Sequence, residues 1–510
     1  MLSCLHSPAH RVCGCLDDSS DGNVRFGPSG RGAFNSSMTN SESNGLIVAF
    51  NFPPSATAGV HRTLRFTRFL ADSNWHVSVL TSLPDEDSRL DLALADKIPH
   101  STDVLQVELI RPEDAMKDRI RNLRKADPRN DSASTLRSAR QSAGCPVESI
   151  PTQSQGRFDR LKLPLGKLRR QMVELLFAIP DNRVGWKNDA VSKGLEIVHK
   201  NKISLVYATA PPFSSLLVGR EIARQAGIPL VLDFRDPWTR VPWGPRNKSW
   251  LANRWVARLE EKCVRDAAAV ILNTDELEQD FVKHYSNLPR ERFVTIPNGF
   301  DPEIRSRVAT YLEEATSLPQ ENRPFRLLHP GSLYRNRDPR PIVDAIANLK
   351  QRNVQVVLEQ VGFCDPGFNL QNYAQQRGVA DQVEVHPPVP HDQMMRRMAE
   401  VDGFVLLQPG TALQVPGKLF EMILFRKPIL AICVPGAVSR IVNEFQIGTI
   451  ADDGNVDSIT KAILQMIGPD RSQPRWDDVA AEFDGEQLTS RLADVFDRVS
   501  AKPDSANSQR

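Results

Sequence analysis

The stretch "GLIVAFNFPPSATAGVHR" (Gly45–Arg62) decides the fold, because it breaks sharply between an apolar run and a helical period. The apolar run is typical of a strand buried in a parallel sheet. A strand and a helix are usually joined by about two to six residues. The connection here is longer and consists of prolines and small residues. We therefore predict a loop that passes over a ligand.

The same alternation of apolar runs and helical periods recurs along the chain. The runs include "SLVYATA", "PLVLDFRDPW" and "AAAVILNT" in the first half, and "FRLLHPGSL", "VQVVLEQVG", "GFVLLQP" and "PILAICV" in the second. Near-continuous apolar runs between helices indicate parallel sheets covered on both faces. We predict an α/β protein with two tandem Rossmann-like, doubly wound parallel-sheet domains that face each other across a cleft.

Composition sets the predicted boundaries of these domains. Residues 1–40 have neither a helical period nor a signal-peptide core, and are expected to be a disordered leader or a mis-called start ahead of Met38. The N-terminal domain is predicted at 41–305, with a polar and basic insertion at about 111–180. The C-terminal domain is predicted at 306–495, and 496–510 as a disordered tail.

Charge and cysteine usage exclude several classes of function. The formal net charge of +2 argues against nucleic acid as a partner. The seven cysteines form no CxxC pair, which fits a reducing cytoplasm. The basic and apolar end of the insertion, "RFDRLKLPLGKLRRQMVELLFAIP", allows two interpretations: peripheral contact with the inner face of a membrane, or an ordinary surface helix. Pro164 and Gly166 favour the second.

In the second domain, two segments suggest anion binding. In "VPGKLFEMILF", Gly417 precedes a helix on which Lys418 and Glu421 share one face. Lys418 suits a diphosphate and Glu421 a ribose, whereas the alternative is a surface ion pair.

The second segment, "LLHPGSLYRNRDP", ends a strand at His329. Gly331 and Ser332 are expected to form a tight turn whose N–H groups approach phosphate. Arg335 and Arg337 follow, and a guanidinium is well shaped for a diphosphate. The alternative is a charged loop without a ligand.

Candidate cleft residues of the first domain follow strand ends. Asp233, Arg235 and Asp236 crowd the end of one strand, where buried charge is costly unless it is used or paired. Ser214 lines a rim or caps the next helix. His61 faces either the cleft or the core. For the charged group, the alternative is an internal ion pair between Arg235 and an aspartate that shapes the loop.

The chain resembles the GT-B glycosyltransferases, specifically their family 4-like group. The resemblance is carried, in the family's order, by "FPPSATAGVHR", "APPFSS", "DFRDPW", "IPNGFD", "HPGSLYRNRDP" and "VPGKLFEMILFRKPILAI". It implies transfer of a sugar from a nucleotide-sugar to an acceptor hydroxyl with retained configuration. It also implies that Glu421 binds ribose, that Arg337 and the turn at Gly331 contact phosphate, and that Gly59 approaches the diphosphate across the cleft.

The resemblance further implies that Arg337 and Lys418 stabilise the departing diphosphate, so we expect no metal and no other cofactor. The acceptor is expected to be a carbohydrate or lipid-linked, in synthesis of a cell-surface polysaccharide or glycolipid. One departure concerns the donor: relatives often carry a glutamate where this chain has Leu413, so their usual donor does not carry over. The alternatives are a nucleotide-sugar epimerase of the same fold and a non-catalytic relative that binds a carbohydrate or protein partner.

Overall fold

The computed structural model describes residues 43–57, 59–85, 89–109, 179–240, 250–316, 323–334, 336–468 and 473–501. The predicted leader, the insertion except for its last two positions, Arg335 and the end of the predicted tail lie outside these residues.

The first domain is built on a seven-stranded parallel sheet with the strand order β3-β2-β1-β4-β5-β6-β7. Its elements are β1 Ser43–Val48, α1 Val60–Phe69, β2 Trp75–Ser82, α2 Leu92–Ala95, β3 Val104–Val107, α3 Lys187–Lys200, β4 Leu205–Ala210, α4 Ser214–Ala226, β5 Leu230–Phe234, α5 Trp250–Asp266, β6 Ala269–Leu272, α6 Asp275–His284 and β7 Phe293–Thr295.

The second domain is built on a six-stranded parallel sheet with the strand order β10-β9-β8-β11-β12-β13. Its elements are α7 Ile304–Thr316, β8 Phe325–Pro330, α8 Arg340–Gln351, β9 Val356–Val361, α9 Leu370–Gln376, β10 Val383–His386, α10 His391–Glu400, β11 Gly403–Gln408, α11 Lys418–Leu424, β12 Ile429–Cys433, α12 Ala437–Glu444, β13 Gly448–Ala451, α13 Val456–Ile467, α14 Trp476–Glu482 and α15 Gly485–Ser500.

Both sheets are covered on both faces, because successive residues of a strand point to opposite sides. In β4, Val206 and Ala208 join one apolar cluster, whereas Tyr207 joins another on the opposite face. In β11, Leu406 and Val405 divide between two clusters in the same way. The buried strands therefore read as continuous apolar runs, and the predicted α/β class with two doubly wound domains is confirmed.

The strand order reverses once in each sheet, and these reversals locate the clefts. In the first sheet the chain passes outward from β1 on one side and from β4 on the other; β8 and β11 play the same parts in the second. Ligands of open parallel sheets bind outside the carboxyl ends of the strands at such switch points. The loops after β1, β4, β8 and β11 are therefore the parts of the fold that position a site.

The last helix corrects the predicted tail. We expected disorder from residue 496, but α15 continues to Ser500 and the Phe496 side chain is fully buried. Phe496 packs edge-on against Trp75 of β2, whose indole N–H donates to Asp497 at 2.8 Å. The chain thus returns from the second domain to cover the first sheet. Truncation before Phe496 would expose part of that core.

No helix of the described residues combines the length and the apolar character needed to cross a bilayer.

Candidate functional site: two strand edges across a cleft

A tight turn follows β8 and forms the floor of the second-domain site. Gly331 has φ +122°, and Gly362, after the neighbouring β9, has φ +136°. A Cβ on Gly362 would overlap the Gly331 carbonyl. The two turns therefore pack backbone against backbone, which only glycine allows at these angles. Ser332 lies half-buried in the same turn.

A chain of hydrogen bonds joins this turn to Lys418, the first residue of α11. The Lys418 Nζ lies 2.9 Å from His329 Nε2 and 3.2 Å from the Pro330 carbonyl oxygen. His329 Nδ1 lies 2.7 Å from Gln360 Oε1, and Gln360 Nε2 donates to the Gly331 carbonyl at 2.7 Å. His329 therefore donates through Nδ1 and accepts from the ammonium through Nε2.

Within the described residues, the positive charge of Lys418 in this hydrogen-bonded network has no carboxylate partner. Burial lowers the pKa of Lys418 to about 7, and the nearby positive charge of Arg337 adds to the effect. Burial, together with Lys418, holds the pKa of His329 well below its ordinary range, so the imidazole is neutral. An anion placed beside Lys418 would supply the missing countercharge and raise its pKa.

Arg337 brings a second cation to the same place. Its guanidinium donates to Gln408 Oε1 at 3.1 Å and lies 5.4 Å from the ring centroid of Tyr334. Within the described part of the chain, neither Arg337 nor Lys418 forms an ion pair with a carboxylate. The structure thus brings Arg337, Lys418 and Gly331 together at the switch point of the second sheet. Arg335 lies outside the described residues.

Glu421 lies three residues after Lys418 and is held by a histidine. Its Oε1 accepts from His391 Nε2 at 3.1 Å, and this hydrogen bond raises the pKa of His391. Gly417 immediately precedes α11, and a Cβ there would meet open space. Packing therefore does not require glycine at 417, which leaves backbone approach to a ligand as its predicted role.

The start of α1 faces this second-domain site. His61 is exposed, and the charges of Glu421 and His391 act on it. The surrounding protein lowers the pKa of His61 by displacing water, and Glu421 opposes that effect. His61 is therefore exposed rather than packed in the core, and its place in the cleft stays a prediction.

Gly59 has a protein neighbour, Arg235, in addition to the predicted diphosphate. Its φ of −71° suits any residue, but a Cβ there would overlap the Arg235 guanidinium. Arg235 is fixed in turn, since it donates to the carbonyls of Ala210, at 3.1 Å, and Pro211. The glycine is thus required by contact with Arg235, beside any approach to a diphosphate.

Asp233 is not a cleft residue, which corrects the prediction. The side chain is fully buried. Its oxygens accept hydrogen bonds from the Arg62 guanidinium at 2.8 and 3.1 Å, and from the hydroxyls of Tyr207 and Thr209, each at 2.7 Å. Burial alone would raise the pKa of Asp233, but the charge of Arg62 and these hydrogen bonds hold it below its ordinary value. Asp233 is the centre of an internal ion pair, and its partner is Arg62 rather than Arg235.

Ser214, predicted as a possible cleft residue, is also buried away from the cleft surface. It is fully buried as the first residue of α4, and its backbone N–H donates to Asp181 Oδ2 at 2.8 Å. The side chain that caps this helix is therefore that of Asp181, which no motif had singled out.

Asp236 serves the contact between the two domains. It accepts from Gln414, in the loop that follows β11. In the same loop, the Leu413 carbonyl accepts from the Thr274 hydroxyl at 2.7 Å, and the Leu413 side chain packs on the first-domain core. The position at which relatives often carry a glutamate is thus occupied here by an apolar contact between domains.

A cavity of about 270 Å³ opens at the carboxyl ends of β1, β2 and β4. In its lining, Asn51, Ser55 and Thr57 belong to the loop that we predicted to pass over a ligand, whereas Asn182 and Arg183 were not predicted. Arg183 pairs with Asp85 and lies 5.3 Å from the ring centroid of Phe50. Position in the loop after β1 is what predicted Asn51, Ser55 and Thr57 as residues near a ligand. Another cavity, of about 360 Å³ beside α7 and α14, contains none of the predicted site residues.

One cluster in the described residues has the composition of a metal site: Glu359, Glu384 and His386. Arg326 donates to both carboxylates, at 3.0 and 2.7 Å, and Arg397 also pairs with Glu359. The two arginines balance the two carboxylates, so the cluster is an ion-pair network at the β9–β10 edge.

Family models match both domains. A glycosyl transferase 4-like domain matches residues 57–299, and the glycosyl transferases group 1 domain matches residues 313–482. A curated relative, D-inositol 3-phosphate glycosyltransferase of Paenarthrobacter aurescens (strain TC1), is 25% identical over 245 residues, which are 46% of this chain. The match spans 56% of the relative's own length.

Solved structures share the fold at low sequence identity. Sucrose-phosphate synthase from Thermosynechococcus elongatus superposes with a TM-score of 0.57 at 15% identity, over 90% of this chain and 99% of its own. Anabaena HepE in complex with UDP gives a TM-score of 0.56 at 15% identity, over 90% and 100%. The chain belongs to the GT-B glycosyltransferases, in the group that joins a family 4-like first domain to a group 1 second domain.

Proposed function

We propose that this glycosyltransferase moves a sugar from a nucleoside-diphosphate sugar to an acceptor hydroxyl, with retained configuration and without a metal. The observation that carries the proposal is the pair Lys418 and Arg337 beside the turn at Gly331, two cations that pair with no carboxylate of the described residues. A diphosphate fits this place because its charge replaces the missing carboxylates. The relative HepE was solved with UDP, which supports a nucleotide ligand here.

In the proposed step, the bond between the sugar's anomeric carbon and the diphosphate oxygen breaks, and negative charge grows on the diphosphate. Lys418, Arg337 and the N–H groups near Gly331 stabilise that charge. The acceptor hydroxyl attacks from the side of the leaving group, and its proton passes to a diphosphate oxygen. The products are a glycoside of unchanged configuration and a nucleoside diphosphate. The step requires no protein nucleophile.

Glu421 is proposed to bind the ribose hydroxyls. Its second carboxylate oxygen remains available as an acceptor while His391 holds the first. Leu413, where the resemblance led us to expect a glutamate in relatives, packs between the domains and offers no acidic group to the sugar.

The acceptor is proposed to occupy the cavity after β1, β2 and β4. Its described lining offers amide and hydroxyl groups, and the one arginine, Arg183, is already paired with Asp85. Such a lining suits the hydroxyls of a carbohydrate, free or lipid-linked. This acceptor class would place the enzyme in polysaccharide or glycolipid synthesis.

A thermal-shift screen of UDP-, GDP-, ADP- and dTDP-sugars tests the donor. A donor at about one hundred times its Kd should stabilise the protein by about 2.7 kcal/mol. Arg337→Gln should lower turnover of that donor by roughly 10² to 10³. Arg340→Gln is the matched control, because Arg340 begins α8 directly after the same loop but is paired with Asp338. A screen in which no nucleotide or nucleotide-sugar shifts the melting temperature would refute the proposal.

Two further measurements test the finer claims. The anomeric configuration of the product, read by NMR coupling constants, should match that of the donor; an inverted product contradicts the proposed geometry. Turnover should survive an excess of EDTA, and loss of turnover that Mg²⁺ or Mn²⁺ restores would show that a metal is required. Release of an isomerised nucleotide-sugar without an acceptor would identify an epimerase.

A further inference from the structure

The helix α5 presents an unusual outward face. Trp250, Leu251 and Trp255 are 69%, 62% and 45% exposed, although large apolar side chains are normally covered. Exposed cations accompany them: Arg254, Arg258 and Lys262. At about 100° per residue, these six side chains span an arc of about 140°. We call them the aromatic–basic face.

The opposite side of α5 accounts for its attachment to the domain. Ala252, Val256, Cys263 and Val264 are buried there, against the first sheet and α4. The aromatic residues are therefore not the core face of a misoriented helix. They are additional apolar groups on the side of α5 that the domain does not cover.

Charge distinguishes the partners that this face could accept. None of its three cations pairs with an acid in the described part of the chain, whereas Glu261 is paired with Arg265 and Asp266 with Arg220. A second copy docking through the same face would oppose like charges, because contacts about a two-fold axis are self-complementary. The Arg254 guanidinium lies 5.7 Å from the Trp250 ring centroid, so cation and indole present one combined surface.

We propose that the aromatic–basic face docks on an anionic lipid bilayer. Indole rings favour the headgroup level of a membrane, and arginine and lysine bury their stems while their charges reach anionic headgroups. A helix lying flat in the interface would use this pattern. The surface is separate from the basic insertion considered in the sequence analysis, and the inference does not depend on the proposed reaction.

The topology gives the docked orientation. The C-terminus of α5 lies close to the start of β6, since only two residues separate them. A helix of this length extends about 25 Å, so its N-terminus, with both tryptophans, lies toward the carboxyl edge of the sheet. That is the edge of the cleft. Docking would therefore turn the cavity after β1, β2 and β4 toward the bilayer surface.

Flotation of the full chain with vesicles tests the proposal. Vesicles of phosphatidylcholine with about 30% phosphatidylglycerol should bind the protein, and pure phosphatidylcholine should bind it at least about tenfold less. Trp250→Ser with Trp255→Ser should weaken binding at least about tenfold. Arg254→Gln with Arg258→Gln should weaken it about as much and reduce its salt dependence.

Leu92→Ser is the matched control, since Leu92 is 71% exposed on the β2 side of the same sheet. Its binding should equal that of the wild type. Thermal melting should be unchanged in all variants, because the substituted side chains are exposed. Wild-type protein that stays unbound, or variants that bind as the wild type does, would overturn the proposal. The proposal would also be overturned if light scattering showed a wild-type dimer that the tryptophan variant abolishes, while the wild type binds no vesicles.

Discussion

The carboxyl edges of the two sheets both gather charged residues, but they use them in opposite ways. In the first domain, Arg62 and Asp233 are 3% and 0% exposed and satisfy each other. In the second, the acceptors that Lys418 and Arg337 contact among the described residues are all neutral: an imidazole, a carbonyl and an amide. Charge density alone therefore does not distinguish a binding edge from a structural one. The partner does, because a cation paired with a carboxylate completes the fold, whereas one without a carboxylate is placed for an anionic ligand.

The largest effect should come from breaking the structural pair. Asp233→Asn leaves the buried charge of Arg62 uncompensated, which should lower the free energy of unfolding by about 3 to 5 kcal/mol. Urea denaturation measures it. Asp381→Asn is the control, because it removes a surface ion pair with Lys350 in which Asp381 is 68% exposed. It should lower the free energy of unfolding by no more than about 1 kcal/mol. If Asp233→Asn kept wild-type stability but lost turnover, the residue would belong to the reaction after all.

The corresponding change at the other edge should give the opposite result. Lys418→Met should reduce donor turnover by about 10² to 10³ without lowering the melting temperature, because it removes a partly buried charge that has no carboxylate. Lys427→Met is the control: Lys427 also donates to backbone carbonyls, those of Ala399 and Val401, but away from the proposed site. Turnover retained in Lys418→Met would end the assignment of the diphosphate site.

This contrast also marks what the sequence could predict. Local periodicity predicts the strands and helices. The start of a helix predicts Lys418, and the segment after a strand end predicts Arg337. The pairings are not predicted in this way, because they join distant parts of the chain: Arg62 lies 171 residues from Asp233. Because the sequence alone does not show that Arg62 lies beside Asp233, Asp233 was predicted as a cleft residue.

The support behind Lys418 was missed for the same reason. Gln360 contacts His329 across 31 residues, and His329 contacts Lys418 across 89. His329 lies within a quoted motif, yet only its burial beside Lys418 shows that it positions the lysine. Asn182 and Arg183 belong to none of the motifs that predicted the site, and only the folded chain shows that they line a cavity at the ends of three strands.

Substitution of Gly59, in the loop between β1 and α1, should have an intermediate effect on stability. Gly59→Ala forces the Arg235 guanidinium away from its carbonyl partners and should lower stability by about 1 to 3 kcal/mol. In an Arg235→Ala background the same change should cost much less, since the overlapping group is gone. A double-mutant cycle by urea denaturation measures the difference. Equal costs in both backgrounds would show that Arg235 is not what requires the glycine.

The smallest predicted effect is a pH dependence that belongs to the second edge alone. Lys418, with a pKa of about 7, loses its proton as pH rises through that value, and a bound diphosphate must restore it. The affinity for the nucleoside diphosphate should therefore fall above pH 7, by up to about tenfold per pH unit. Calorimetric titrations from about pH 7 to 9 should also show proton uptake on binding.

Two variants assign that slope to a residue. Lys418→Met should bind more weakly throughout and lose most of the pH dependence. His391→Gln should retain it, although the hydrogen bond to Glu421 also raises the pKa of His391. If instead His391→Gln flattened the profile and Lys418→Met preserved it, the titrating group would be the histidine, and the lysine would not carry the charge that meets the diphosphate.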